Sequence, residues 1–109
     1  MSNLLHQRCQ VHPGSAMDDA TIRSHLQQVS GWTLHDGAIE KTFPFKNYYE
    51  TISFVNALAW ICNTEDHHPD LRISYDRCIV RFNTHSVNGV SVNDFICAAK
   101  ADALVSFVA

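Results

Sequence analysis

The chain predicts an α+β fold: a two-layer domain with three helices packed on one face of a four-stranded antiparallel sheet, in the order α-β-β-α-β-β-α. Three observations predict it. Two pairs of short runs alternate apolar and polar residues with the period of a strand, and each pair is joined by a tight turn signal. Three other stretches repeat apolar residues at helical spacing behind a capping side chain. The 109 residues fill one domain and leave no room for two.

Residues 1–16 are polar, contain Pro13-Gly14-Ser15 and show no period, so they read as a flexible or loosely docked N-terminal arm, with a single domain over 17–109. Asp18 or Asp19 caps a first helix that places Ile22, Leu26 and Val29 on one face, and Gly31 suits its stop. Trp32 to His35 and Ala38 to Phe45 follow as strands around Asp36-Gly37, a hairpin dipeptide. Lys41 interrupts the apolar row Ile39, Phe43, Phe45, and Pro44 argues for an edge or a strand end. Asn47-x-x-Glu50 resembles a capping box and opens a long helix. Tyr48, Ile52, Val55, Ala59 and Cys62 form one stripe on it, and Phe54, Leu58 and Ile61 a second. A helix apolar on two sides needs two partners: the sheet, and a second subunit. Leu71, Ile73 and Tyr75, then Cys78, Val80 and Phe82, make a second hairpin turning near Asp76. Asn88-Gly89 marks a loop, and Ser91-x-x-Asp94 opens a last helix carrying Val92, Phe95, Ile96, Ala99, Ala103, Leu104, Phe107 and Val108.

Composition excludes several functions. The formal charge of −3 lacks the basic excess of a nucleic-acid binder. No apolar run reaches the roughly 20 residues of a membrane span, and the N-terminus has no signal-peptide core, so the expected location is cytoplasmic. Of the four cysteines, Cys62, Cys78 and Cys97 lie in apolar periodic segments and read as small hydrophobes. Cys9-x-x-His12 has the spacing of half a zinc site, without a matching second half.

The chemistry-bearing feature is a group of histidines. His67-His68-Pro69 stands between the long helix and the second hairpin, and Pro69 ends the helix before it. His85 follows the last strand. An antiparallel return brings the end of that strand beside the start of its partner, so the three imidazoles can converge, with Asp94 nearby. Three readings stay open at this point. The histidines cap helix carbonyls; or His67, His85 and Asp94 hold a metal with an open position; or the imidazoles exchange protons with a substrate near neutral pH.

The run His67-His68-Pro69, Tyr75, His85, Asp94 resembles the signature of the pterin-4a-carbinolamine dehydratases, and Gly31-Trp32, Phe43-x-Phe45-Lys46-Asn47 and Ala57-Leu58-Ala59 are similar to the same family. The resemblance spans roughly residues 18 to 108. It implies a hydro-lyase that converts 4a-hydroxytetrahydropterin to quinonoid dihydropterin and water, without metal or other cofactor. That reaction recycles the pterin of aromatic amino-acid hydroxylases. It implies His67 and His85 as the catalytic acid/base pair, His68 as a substrate contact also counted with them, and Asp94 as a residue that orients an imidazole or the pterin. Trp32 is expected to cover the pterin ring or to be a core aromatic. The family assembles as homodimers and homotetramers, in keeping with a two-faced helix. One departure stands out. Many members carry a carboxylate four residues before the first histidine, where this chain has Asn63, which can hydrogen-bond substrate or histidine but cannot act as a base. Glu65 and Asp66 flank the histidines; either carboxylate would favour a charged imidazole, but a solvated helix end is the role read for both.

Overall fold

A computed structural model describes residues 3–106. Three helices, α1 (Asp19–Leu26), α2 (Tyr48–Glu65) and α3 (Val92–Val105), cover one face of a sheet built from β1 (Thr33–His35), β2 (Ala38–Pro44), β3 (Asp70–Ser74) and β4 (Arg77–Phe82). The strand order is β1-β2-β4-β3, antiparallel throughout. The α+β architecture read from the sequence is thus the observed one.

Each turn has a local cause. Asp36 and Gly37 both have positive φ, 49° and 75°, which is the requirement of the two-residue hairpin turn whose twist matches its strands. Asp18 caps α1 by accepting from the Thr21 N–H at 2.8 Å. The helix stops at Leu26, short of Val29, and Gly31 at φ 89° makes the later turn into β1. The Lys41 side chain passes within 3.0 Å of where a Cβ would stand on Gly31, so that position also needs the absence of a side chain.

Register explains the sheet's inner row. Opposed residues of an antiparallel pair share a face, and Ile39 pairs with Phe82, Lys41 with Val80, Phe43 with Cys78, Leu71 with Val80 and Ile73 with Cys78. Ile39, Cys78, Val80 and Phe82 are completely buried. Lys41 lies in this row, as its position requires, because its ammonium is satisfied: Nζ donates to the Ser30 carbonyl at 2.9 Å and to Asp102 Oδ1 at 2.8 Å. Pro44 closes β2, which is an inner strand, so it marks a strand end and no edge.

The seam of α2 differs from both sequence stripes. Thr51, Phe54, Leu58 and Cys62 face the core, whereas Tyr48 and Ala59 are exposed. Thr51 escapes an apolar pattern because it is polar, yet its hydroxyl is placed between the carbonyls of Asn47 and Tyr75, at 2.9 and 3.0 Å, which makes its burial tolerable. Tyr49 and Trp60, 83% and 72% exposed, lie on the outer side of α2. On α3 the buried run Asn93 to Ala98 shows a helix enclosed on most sides at its start; Phe107 and Val108 lie outside the described residues.

Within the segment expected as a flexible or loosely docked arm, residues 4–10 make contacts with the rest of the domain. Leu4 joins the hydrophobic core. The Leu5 carbonyl accepts from Lys100 Nζ at 2.8 Å. Arg8 Nε donates to Glu65 Oε2 at 2.7 Å, the Cys9 N–H to Glu65 Oε1 at 2.7 Å, and Gln10 exchanges two 2.8 Å hydrogen bonds with the Asn93 side chain. Polar sequence hid this segment because most of its anchors are hydrogen bonds. No described helix is long and apolar enough to cross a membrane.

Candidate active site

The end of α2 sets the first histidines. Its last turn closes on Asp66 in the left-handed region, φ 53°, with the His67 N–H donating to the Cys62 carbonyl at 3.1 Å. This is the wrap-around geometry of a helix C-terminus, normally made by glycine. It reverses the chain, and Pro69 then leads directly into β3. His85 begins a single 3-10 turn, His85–Val87, just after β4. Since Asp70 pairs with Arg81, the starts and ends of these strands coincide, and His67, His68 and His85 all belong to one end of the sheet, as the hairpin argument anticipated.

His67 is the best-defined of them. Its side chain is 11% exposed, and Nε2 lies 2.6 Å from Oδ1 of Asp94, which is fully buried. The other carboxylate oxygen of Asp94 accepts from Thr84 Oγ1 at 2.8 Å and from the Ser91 N–H at 2.9 Å. Because the Thr84 proton is directed to Asp94, the 2.7 Å contact between Thr84 Oγ1 and Ser91 Oγ is a hydrogen bond donated by Ser91. Ser91 Oγ in turn accepts from the Asn93 N–H at 3.2 Å. Every proton in this chain points toward Asp94. The carboxylate is therefore an acceptor on all sides, and His67 presents Nε2–H to it. In the neutral imidazole that selects one tautomer, with Nδ1 carrying the lone pair. The ring is stacked on Phe82, 11° from parallel with centroids 6.0 Å apart, which fixes its plane as well.

Asp94 is thus both the capping-box residue the sequence predicts and the partner of His67. Thr84 and Ser91 complete the network. Ser91 was visible as a cap; Thr84 carried no signal of its own beyond its place beside His85.

His68 is exposed, and its Nε2 donates to Asn63 Oδ1 at 3.0 Å. Asn63 therefore does contact a histidine, with a carboxamide oxygen as acceptor. His85 is exposed. Glu65 faces away from the imidazoles and binds the N-terminal segment instead; burial alone would raise its carboxyl, but the Cys9 N–H and the Arg8 guanidinium outweigh that and hold it below the usual carboxylate range. Asp66 is taken up by the left-handed turn.

Trp32 does not lie at the surface to cover a ligand. It is 4% exposed, its indole N–H is shared between the two oxygens of Asp102 at 3.2 and 3.1 Å, and its ring meets Phe43 and Phe82 in the core. The cause is the turn at Gly31, which sends Trp32 under the helices. Among the described residues, no group of three or more His, Cys, Asp or Glu side chains is arranged to hold a metal ion; His67 and Asp94 are in direct hydrogen-bond contact. On the sheet face away from the helices, a cleft of about 450 Å³ opens at this same end, lined among others by His35, Glu40, Asp70, Arg72 and Arg81.

Comparison with known proteins gives one family. A family model described as pterin 4 alpha carbinolamine dehydratase matches residues 15–104. A protein of Stenotrophomonas maltophilia (strain R551-3) named "Putative pterin-4-alpha-carbinolamine dehydratase" is 55% identical over 105 residues, covering 93% of this chain and 90% of its own length. One of the same name from Bdellovibrio bacteriovorus is 55% identical over 98 residues, covering 85% of this chain and 82% of its own. The crystal structure of a transcriptional coactivator/pterin dehydratase from Brucella melitensis superposes with a TM-score of 0.79 at 30% identity, covering 83% of this chain and 98% of that one. The chain belongs to the pterin 4 alpha carbinolamine dehydratase family.

Proposed function

We propose that this protein is a hydro-lyase that dehydrates 4a-hydroxytetrahydropterin to quinonoid dihydropterin and water by histidine acid/base catalysis. The observation that carries the reading is the His67–Asp94 pair, one imidazole nitrogen held by a buried carboxylate and the other left as a lone pair. Dehydration breaks the C4a–O bond and removes the N5 proton as the C4a–N5 double bond forms. The leaving hydroxyl takes up a proton and departs as water. His67 Nδ1 is suited to accept the N5 proton, and Asp94 stabilises the positive charge the ring then carries. His85, exposed at the same end of the sheet, is assigned as the acid that protonates the hydroxyl, and His68 as a substrate contact. Paired proton transfers of this kind contribute about 10²–10⁴-fold each. The reaction needs no electron transfer, so the proposal includes no redox cofactor.

The test is a rapid-mixing assay with chemically generated 4a-carbinolamine. The protein is expected to outpace spontaneous dehydration, and His67→Ala and His85→Ala to lose most of that advantage. Equal rates with and without protein would end the proposal. The product's place is in pterin recycling beside an aromatic amino-acid hydroxylase, in the cytoplasm. The outer side of α2, with Tyr49 and Trp60 exposed, supports assembly as a homodimer or homotetramer; sedimentation of Trp60→Glu as a smaller species than the parent tests this.

A second reading rests on Asn63. A carboxamide on His68 in place of a carboxylate favours a pterin- or protein-binding module with weak or altered activity. Tight pterin binding with little turnover, together with a faster Asn63→Glu variant, would select it; rapid turnover by the natural sequence excludes it.

A further inference from the structure

We infer that Cys9 and Cys97 form an oxidisable dithiol, closed to an intramolecular disulfide by hydroperoxides, which staples the N-terminal segment onto α3. The inference is independent of the dehydratase reading. The two sulfurs are 88 positions apart in sequence and 3.5 Å apart in space. A disulfide needs about 2.0 Å. The remaining gap is closed by rotation of the two side chains, Cys9 on an irregular segment and Cys97 on α3.

The encounter is built into the structure. The Cys9 N–H is held by Glu65, and the next residue, Gln10, is clamped to Asn93 by a reciprocal pair of hydrogen bonds. Cys9 Sγ also lies 3.7 Å from the Asn93 carbonyl, to which its thiol can donate. Both neighbours of Cys9 are therefore anchored, and its side chain is directed at α3.

The three nearby thiols are unequal. Cys9 is partly exposed, whereas Cys62 and Cys97 are 1% and 0% exposed. The hydrogen bond with Cys9 and burial together push the Cys97 thiol well up, and burial pushes Cys62 up to about 12. Both buried thiols hold their protons at neutral pH, so a dissolved oxidant meets Cys9 first. Cys9 loses its proton and attacks the peroxide O–O bond, giving a sulfenic acid and, with that proton, water. Cys97 then attacks the Cys9 sulfur: the S–S bond forms, the S–O bond breaks, and the Cys97 proton leaves with the hydroxyl as a second water. Two thiols are oxidised and one peroxide is reduced.

The staple closes a long loop and joins two anchors, Glu65 just before His67 and Asn93 just before Asp94, through one strap. The experiment treats the reduced protein with a small excess of hydrogen peroxide, followed by intact mass, non-reducing peptide mapping and thermal unfolding. The expected result is a loss of two hydrogen atoms, a Cys9–Cys97 linked peptide, and a Tm higher by about 5 °C that dithiothreitol reverses. The Cys9→Ser variant, altered at a partly exposed site, should show none of these. Addition of oxygen to Cys9 without a cross-link, a Cys9–Cys62 link, a link between two chains, or a cross-link that leaves Tm unchanged would each overturn the inference.

Discussion

His67 Nε2 and Asp94 Oδ1 are 2.6 Å apart although 27 positions separate the two residues, and the aspartate behind that contact has no exposed surface at all. Removing either partner therefore leaves a buried group unsatisfied. Asp94→Ala strips the acceptor from His67, Thr84 and the Ser91 N–H together, and is expected to destabilise the fold by about 3 kcal/mol. Asp94→Asn keeps the shape but places a donor where three donors converge. It should retain most of the fold, seen by denaturant unfolding, while the dehydration rate falls about a hundredfold.

Asp66 holds the left-handed turn that delivers His67 to its place. A β-branched residue is strained there, so Asp66→Val is expected to lose about 1–2 kcal/mol, whereas Asp66→Gly should match or slightly exceed the parent in urea unfolding. If both variants unfold alike, the turn is not what sets the stability of this corner.

Much of this corner was legible in the sequence, and the reasons for what was not are physical. Hairpin turns and caps are short-range, so Asp36-Gly37, Asn47, Ser91 and the strand alternation around Val80 could be read directly. The placement of His67, His68 and His85 at one end of the sheet followed from antiparallel pairing. The partner of His67 did not follow from topology, because which oxygen meets which nitrogen depends on packing over Phe82. The sequence left the place of Trp32 open between ligand and core and gave no reading of Thr51 for a similar reason: a tryptophan beside a glycine turn can be buried or exposed, and a buried threonine is invisible to an apolar pattern. The contacts of residues 4–10 were not legible, since hydrogen bonds to Glu65 and Asn93 leave no periodic trace.

Trp32 gives a direct check on that distinction. With its indole N–H on Asp102 and its ring among Phe43 and Phe82, Trp32→Phe should leave KM for the carbinolamine unchanged. It should lower stability by about 1–2 kcal/mol through the lost indole hydrogen bond to Asp102, which keeps Lys41, and the lost ring volume. A large rise in KM at unchanged stability would place the ring at the ligand after all.

Acid should release the N-terminal segment before the fold is lost. The folded Glu65 carboxyl is held below its ordinary value of 4.5. A carboxyl depressed by folding contributes stability above its unfolded pKa, and that contribution fades as pH falls through the lower folded value. Amide exchange at Cys9 and Gln10 is therefore expected to lose protection as pH drops below about 4.5, relative to the sheet. Glu65→Gln should abolish the pH dependence and leave the segment less protected throughout.

Leu4, 4% exposed, belongs to the hydrophobic core. The family model begins at residue 15, whereas a relative 55% identical aligns over 93% of the chain, so the likeness reaches into the segment that completes this core. A chain trimmed to residues 15–104 would lose His6 and His12 but still contain His67, His68 and His85. It would also bare the side of α3 that bears Cys97, and leave Glu65 and Asn93 hydrated on their own. Residues 4–10 work as a lid sealed by hydrogen bonds, so for this protein the smallest piece that carries the three histidines is shorter than the smallest piece that should hold them still.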